Sequence, residues 1–271
     1  MSKTLSATAI SLAVMSTSAF AGGHCAAGKT LTDGTLTIAT GNPAYYPWVM
    51  DDAPESGQGF EAAVAYAVAA EMGFAAENVT WVRSSFDEAI QPGAKNFDLN
   101  MQQYSITPER EQIVDFSAPY YTAPMAVLVG ASAGETAPTF DALRELQWGA
   151  VGSTTAVPKL TAVIQPSRDP LLYGDNADVN AAMSANQIDA ALFDLPTALF
   201  LSAVMIEGSK VLGQFAPDLT DNPDQFGILM EEGNQLKACV DEALAALTES
   251  GDLAAIEATW LQDTTGVPLI K

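Results

Sequence analysis

The chain sets short apolar runs against helix-length segments, breaks off that alternation, and then starts it again. This doubled pattern constrains the fold more than any other feature of the sequence. LTIAT (36–40), EAAVAYAVAAEM (61–72), VTWV (79–82), a short FDEAI turn of helix and FDLNM (97–101) make the first series. After IVDFSAPYYTAPMAVLVG (113–130) come PTFDALRELQ, WGAV, the GSTTAVPKL turn and helix, NADVNAAMSANQ and IDAALF. The tail returns with FGILM (226–230), a long helix over NQLKACVDEALAALTESG, and IEATWLQD. Strand-length runs alternating with helices define an α/β fold. A tail patterned like the first half implies that the chain leaves one α/β unit, builds a second and comes back. Two connections then cross between the units, near Thr122 to Val127 and near Gly213 to Asp224; the latter, GQFAPDLTDNPD, has the polar, Pro-rich composition of a connector. The expected division is residues 1–21 as an export signal, 22–34 as an N-terminal segment, 35–124 with 220–271 as a discontinuous first domain, and 125–219 as the second.

The export signal is read from MSKTLSATAISLAVMSTSAFA, with Lys3 near its start, a moderately apolar middle and a small-x-small end at Ala19-Phe20-Ala21. No later apolar stretch reaches the ~18 residues of a spanning helix. A lipid anchor on Cys25 competes with simple release, but His24 stands where a lipobox wants Gly, Ala or Ser. The expected location is periplasmic and the expected state monomeric. A formal net charge of −22 disfavours nucleic acid and anionic membranes as partners. It does not disfavour a small anionic ligand, because one buried Arg governs its own pocket while spread surface charge is screened beyond about 10 Å.

Cys25 and Cys239 are the two cysteines. In an oxidising compartment they point to one disulfide tying the N-terminal segment to a late helix. One His and two distant Cys cannot furnish the usual N and S ligands of a metal, so no metal or other cofactor is expected. Nucleophilic mechanisms that need a His base are disfavoured for the same reason.

In open α/β sheets, ligands gather beyond the carboxyl ends of strands, where loops and helix starts offer unpaired N–H groups. Here LTIAT opens into Asn42, Tyr45 and Trp48, VTWV leads to Phe86, and FDLNM delivers Gln102, Gln103, Tyr104 and Ser105. WGAV ends at Val151 and delivers Gly152 to Thr155, and IDAALF delivers Asp194. Thr107-Pro108-Glu109-Arg110 has the form of a helix start, with Thr as N-cap and Pro at the first position. On the residues alone, each candidate has a second reading. Arg110 could be a solvated helix charge, Asp194 a helix cap, Trp48, Tyr46 and Phe86 core, and Gln102 and Gln103 turn residues.

TIATGNPAYYPW, the GFE triplet at Gly59-Phe60-Glu61, FDLNMQQYSITPERE before VDFSAPYY, WGAVGSTTAV and ANQIDAALFDLP together resemble the extracellular solute-binding proteins of family 3, receptors of polar amino-acid ABC transporters. The resemblance covers nearly the whole chain after the signal. It implies a two-domain type II periplasmic-binding-protein fold with a ligand cleft between the domains, and permease subunits as partners. It implies that Arg110 holds a ligand α-carboxylate, that the backbone of Thr154 and Thr155 makes a second cradle for it, and that Asp194, helped by Gln103 and Ser105, accepts the α-ammonium. Tyr45 and Phe86 would wall the side chain. The chain departs from the family where Gln102, Gln103 and Tyr104 replace small residues, where Asn42 replaces the Asp common in receptors for basic amino acids, and at Ala156. A compatible solute such as ectoine is therefore kept beside the amino acids. Two other readings are an enzyme on the same scaffold, similar to cyclohexadienyl dehydratases, and a sensor module serving a chemoreceptor.

Overall fold

The computed structural model describes residues 25–216, 224–261 and 266–270. The export signal and most of the second connector lie outside them. Among the described residues the strands are β1 (Leu36–Thr40), β2 (Val79–Arg83), β3 (Leu99–Asn100), β4 (Val114–Ala123), β5 (Met125–Val129), β6 (Trp148–Val151), β7 (Leu171–Tyr173), β8 (Ala190–Asp194), β9 (Lys210–Gln214) and β10 (Asp224–Glu231). The helices are α1 (Phe60–Glu71), α2 (Phe86–Ala89), α3 (Phe140–Arg144), α4 (Ala156–Lys159), α5 (Asn176–Ser184), α6 (Leu195–Phe200), α7 (Lys237–Ser250) and α8 (Asp252–Trp260).

Two five-stranded sheets result, ordered β2-β1-β3-β10-β4 and β7-β6-β8-β5-β9. The orders mirror one another. In each, a central strand pairs in parallel with two neighbours and a returning strand pairs antiparallel: β1 with β2 and β3, then β10; β6 with β7 and β8, then β5. Parallel strands covered on both faces read as continuous apolar runs, and LTIAT and WGAV are almost wholly buried. Leu36, Ile38, Leu99 and Ile228 meet Phe60, Val64 and Val68 of α1 and Val240 and Leu244 of α7 in the first lobe. Val127, Val129 and Trp148 meet Leu143 and Leu160 in the second. Only Pro124 separates β4 in one sheet from β5 in the other.

The aromatic turn after β1 serves as a cap. Pro47 O accepts the Phe60 N–H at 2.8 Å and Trp48 O accepts the Glu61 N–H at 3.0 Å, which satisfies two of the orphan donors at the start of α1. Gly59 is required there. Its φ is 103°, and a Cβ would lie 2.5 Å from Trp48 O.

The disulfide is formed between Cys25 and Cys239, with Cα atoms 5.6 Å apart, and it ties the N-terminal segment to α7. The long C-terminal helix ends where the sequence places its end, at Gly251 (φ 85°), which ends α7 and opens α8. One expectation needs correction: residues 266–270 do not stay with the first lobe. Leu269 bridges Gln214, Ile270 N–H bonds Gln214 O at 2.9 Å, and the Ile270 side chain enters the second core. The tail is apolar at Val267 and Ile270, and the edge strand β9 offers it a free hydrogen-bonding rim.

Candidate functional site

The carboxyl ends of β1, β3, β6 and β8 open onto one cavity of about 370 Å³ between the two sheets. Asn42, Tyr45, Phe86, Gln102, Gln103, Ser105 and Arg110 line it from the first lobe, and Val151, Thr154, Thr155 and Asp194 from the second.

Arg110 opens a short 3₁₀ turn, and its N–H bonds the Thr107 hydroxyl at 3.3 Å. The expected Thr cap is there, although a single tight turn replaces the expected helix. The side chain is 8% exposed. Nη1 donates to Ser105 O at 2.7 Å and Nη2 to Ser153 O at 2.9 Å, one carbonyl from each lobe. The guanidinium also sits 5.4 Å from the Phe86 ring centroid, in cation–π range. Guanidinium carries five N–H donors, so donors remain for a carboxylate in the cavity. Burial pushes its pKa down, while Tyr104, Asp224 and Asp87 oppose that shift.

Across the cavity, Asp194 ends β8 and caps α6, its Oδ1 accepting the Thr197 N–H at 2.8 Å. Capping and ligand contact need not compete, because a carboxylate has about four acceptor positions. Burial raises the Asp194 pKa to about 6, against the lowering effect of its Thr197 bonds. A cation and an anion thus face one cavity from separate lobes. The Ser105 and Thr155 hydroxyls approach to 3.5 Å between them. Thr154 contributes less than expected, since its N–H is already bonded to Val151 O at 3.1 Å and only Thr155 stands at the opening of α4.

The model of the bacterial extracellular solute-binding proteins, family 3, matches residues 36–263. This chain belongs to family 3. The L-arginine-binding protein of Pseudomonas aeruginosa is 25% identical over 221 residues, which is 79% of this chain and 83% of that protein. The L-cystine-binding protein TcyJ of Escherichia coli is 27% identical over 168 residues, 62% of this chain, and the match spans only 61% of that relative's length. Among solved structures, an ancestral arginine-binding protein bound to glutamine superposes with a TM-score of 0.69 at 24% identity, covering 86% of this chain and 100% of that one. The fold is thus the two-domain type II arrangement of periplasmic binding proteins.

Two expected site residues of this family 3 protein do not face the cavity. Trp48 is 1% exposed and lies edge-on to Phe60, Tyr121 and Phe226. Tyr104 is buried behind Phe86, stacked on it at 4.4 Å, and its hydroxyl accepts from Gln102 Nε2 at 3.1 Å and donates to Phe86 O. Beyond β3 the left-handed turn at Gln103 redirects the chain, and Tyr104, between Gln103 and Ser105, packs inward with Phe97, Phe116 and Leu229. Trp48 does something else as well. Its indole N–H donates to the Thr197 hydroxyl in the second lobe at 2.8 Å, and nearby Tyr46 packs on Phe200 of the same helix at 5.2 Å. Thr197→Val keeps the volume but strands a buried N–H, at a cost of about 1–3 kcal/mol. Because that bond spans the lobes and the same hydroxyl also bonds Asp194, solute affinity is expected to fall roughly fivefold to tenfold. Calorimetry paired with tryptophan fluorescence measures this, and unchanged affinity would mean that the bond is present equally when the lobes part.

The sequence reading missed Ser84, Asp87, Asp175, Asn176 and Asp224 on the cavity wall. Asp175 caps α5 by accepting the Asp178 N–H at 2.9 Å, and the Asp-Asn start before an apolar-periodic segment was the available signal. Asp224 pairs with Lys159 of α4, and Asp87 accepts from the Ser153 hydroxyl. Both contacts join the two lobes. Neither has a local sequence mark.

Proposed function

We propose that the chain is a receptor for a polar L-α-amino acid, which it binds between the lobes after export to the periplasm and presents to an ABC permease as the lobes close. The observation that carries this reading is the opposed pair: Arg110 from the first lobe and Asp194 from the second face one cavity. A carboxylate meets a planar fork of charge-assisted donors, and an ammonium meets a carboxylate. Either group alone would accept a simple acid or a simple amine; together they select a zwitterion. Tyr45 and Phe86 supply apolar area beside the polar headgroup. Amino-acid ligands named for the relatives, arginine and cystine, support the class. Lobe closure by hinge bending would then couple binding to delivery.

The dehydratase-like alternative needs further cationic groups to hold a second carboxylate. Among the described residues, Arg110 is the only Lys, Arg or His on the cavity wall, which favours a receptor. The test is a thermal-shift screen of the protein lacking residues 1–21 against the twenty proteinogenic L-amino acids, L-cystine, ectoine and prephenate. An L-α-amino acid is expected to give the largest stabilisation. A shift from ectoine alone would move the chain to compatible solutes, and turnover of prephenate would replace the receptor with an enzyme.

A further inference from the structure

Glu61, the last residue of the GFE triplet, is 1% exposed and does not reach the cavity wall. It is nevertheless bound to the site. Its Oε1 accepts the Gln103 N–H at 2.8 Å and the Tyr120 hydroxyl, and its Oε2 accepts the Gln103 side-chain amide. Gln103 lies on the cavity wall with φ at 54°, in the left-handed region that a non-glycine residue seldom adopts unless its surroundings impose it. The two bonds from Gln103 to one carboxylate are that imposition. They set the path of the chain from Gln102 to Ser105, whose carbonyl in turn holds Arg110.

We infer that Glu61 is a positioning residue for the solute site, which holds Gln103 in its left-handed conformation through a carboxylate that accepts three donors at once. The inference rests on the amino-acid reading of the cavity. Three donors converge on the Glu61 carboxylate and the start of α1 adds partial positive charge beside it, so these contacts favour its anionic form. A neutral amide has no charge to strengthen these bonds, and its NH2 would force the Gln103 side-chain amide to turn over.

The groups facing Glu61 are Tyr120 on β4, Tyr104 and Gln103 beyond β3, and Asp194 from the second lobe. Burial raises its pKa to about 7; the Tyr120 and Gln103 bonds lower it and Asp194 raises it. The sign is therefore that the clamp is complete above about pH 7 and loosens as pH falls.

The experiment compares the wild type with Glu61→Gln, Tyr120→Phe and Arg110→Ala. Each is screened against the twenty proteinogenic L-amino acids and L-cystine, and the strongest binder is titrated by calorimetry from pH 5 to 9. Glu61→Gln is expected to weaken binding at least tenfold at pH 8.5 and to erase the pH step near 7. Tyr120→Phe removes one donor that stabilises the anion, so the step should move to higher pH. If Glu61→Gln binds within twofold of wild type with the same pH profile while Arg110→Ala loses binding, the positioning role is wrong and the amino-acid reading stands. If Arg110→Ala also binds like wild type, the amino-acid reading itself fails. Should Glu61→Gln not fold by circular dichroism, Tyr120→Phe decides, and an unmoved step overturns the inference.

Discussion

Arg110→Ala should weaken the binding of an L-α-amino acid at least thirtyfold, measured by calorimetry at pH 8. The reason is the asymmetry between making and breaking a buried charge contact. Truncating one partner of a desolvated, hydrogen-bonded pair costs about 2–5 kcal/mol, much of it the penalty of leaving the other charge unpaired, and each 1.4 kcal/mol is a factor of ten. Arg110 adds a second effect. Its two backbone bonds reach Ser105 in one lobe and Ser153 in the other, so the alanine variant also loses contact between the lobes. Arg110→Lys separates the two contributions. It keeps the charge but not the planar fork, and it should fall between wild type and alanine. A loss below threefold in the alanine variant would remove Arg110 from the site.

The fold was legible in this sequence because both units use the same strand-helix alternation and bury it in the same way. Less legible were elements whose existence depends on the other lobe or on an edge. LLY of β7 is an edge strand with Leu171 and Leu172 exposed, so it has no apolar periodicity to detect. α6 is short and most of its first turn is buried, so its one mark in the sequence is Asp194 as a possible cap. The site divides along similar lines. Arg110, Asp194, Tyr45 and Phe86 stand on the cavity because strand-end position and side-chain chemistry agree. Trp48 and Tyr104 show the limit of that argument, since an aromatic beyond a strand end can turn toward the ligand or toward the core, and packing with distant residues decides the direction: Phe60, Tyr121 and Phe226 for Trp48, Phe97, Phe116 and Leu229 for Tyr104. Glu61 could be noticed in GFE, but its link to Gln103 crosses 42 positions of chain. Only the parallel pairing of β1 with β3 brings the two together.

Asp194→Asn should weaken amino acids at least thirtyfold at pH 8 while leaving their deaminated 2-oxo or unsubstituted acid analogues nearly unaffected. Asn caps helices about as well as Asp, so α6 keeps its Thr197 bond and the substitution isolates the charge. The pH dependence carries the stronger test. Burial raises the Asp194 pKa to about 6, so in the empty cleft the proton is held above the usual carboxylate range. Binding needs the carboxylate, because a protonated acid cannot neutralise the incoming ammonium. As pH falls below about 6 the ammonium must therefore displace a proton, and affinity should drop by about a factor of ten per pH unit by proton linkage. The Asn variant has no proton to displace and should show no step near pH 6, while retaining any step that belongs to Glu61. Titration of one amino acid and its deaminated analogue across pH 4.5 to 8 reads both effects in a single series. A step near pH 6 that survives in the variant would assign it to another group and leave Asp194 as no more than a helix cap.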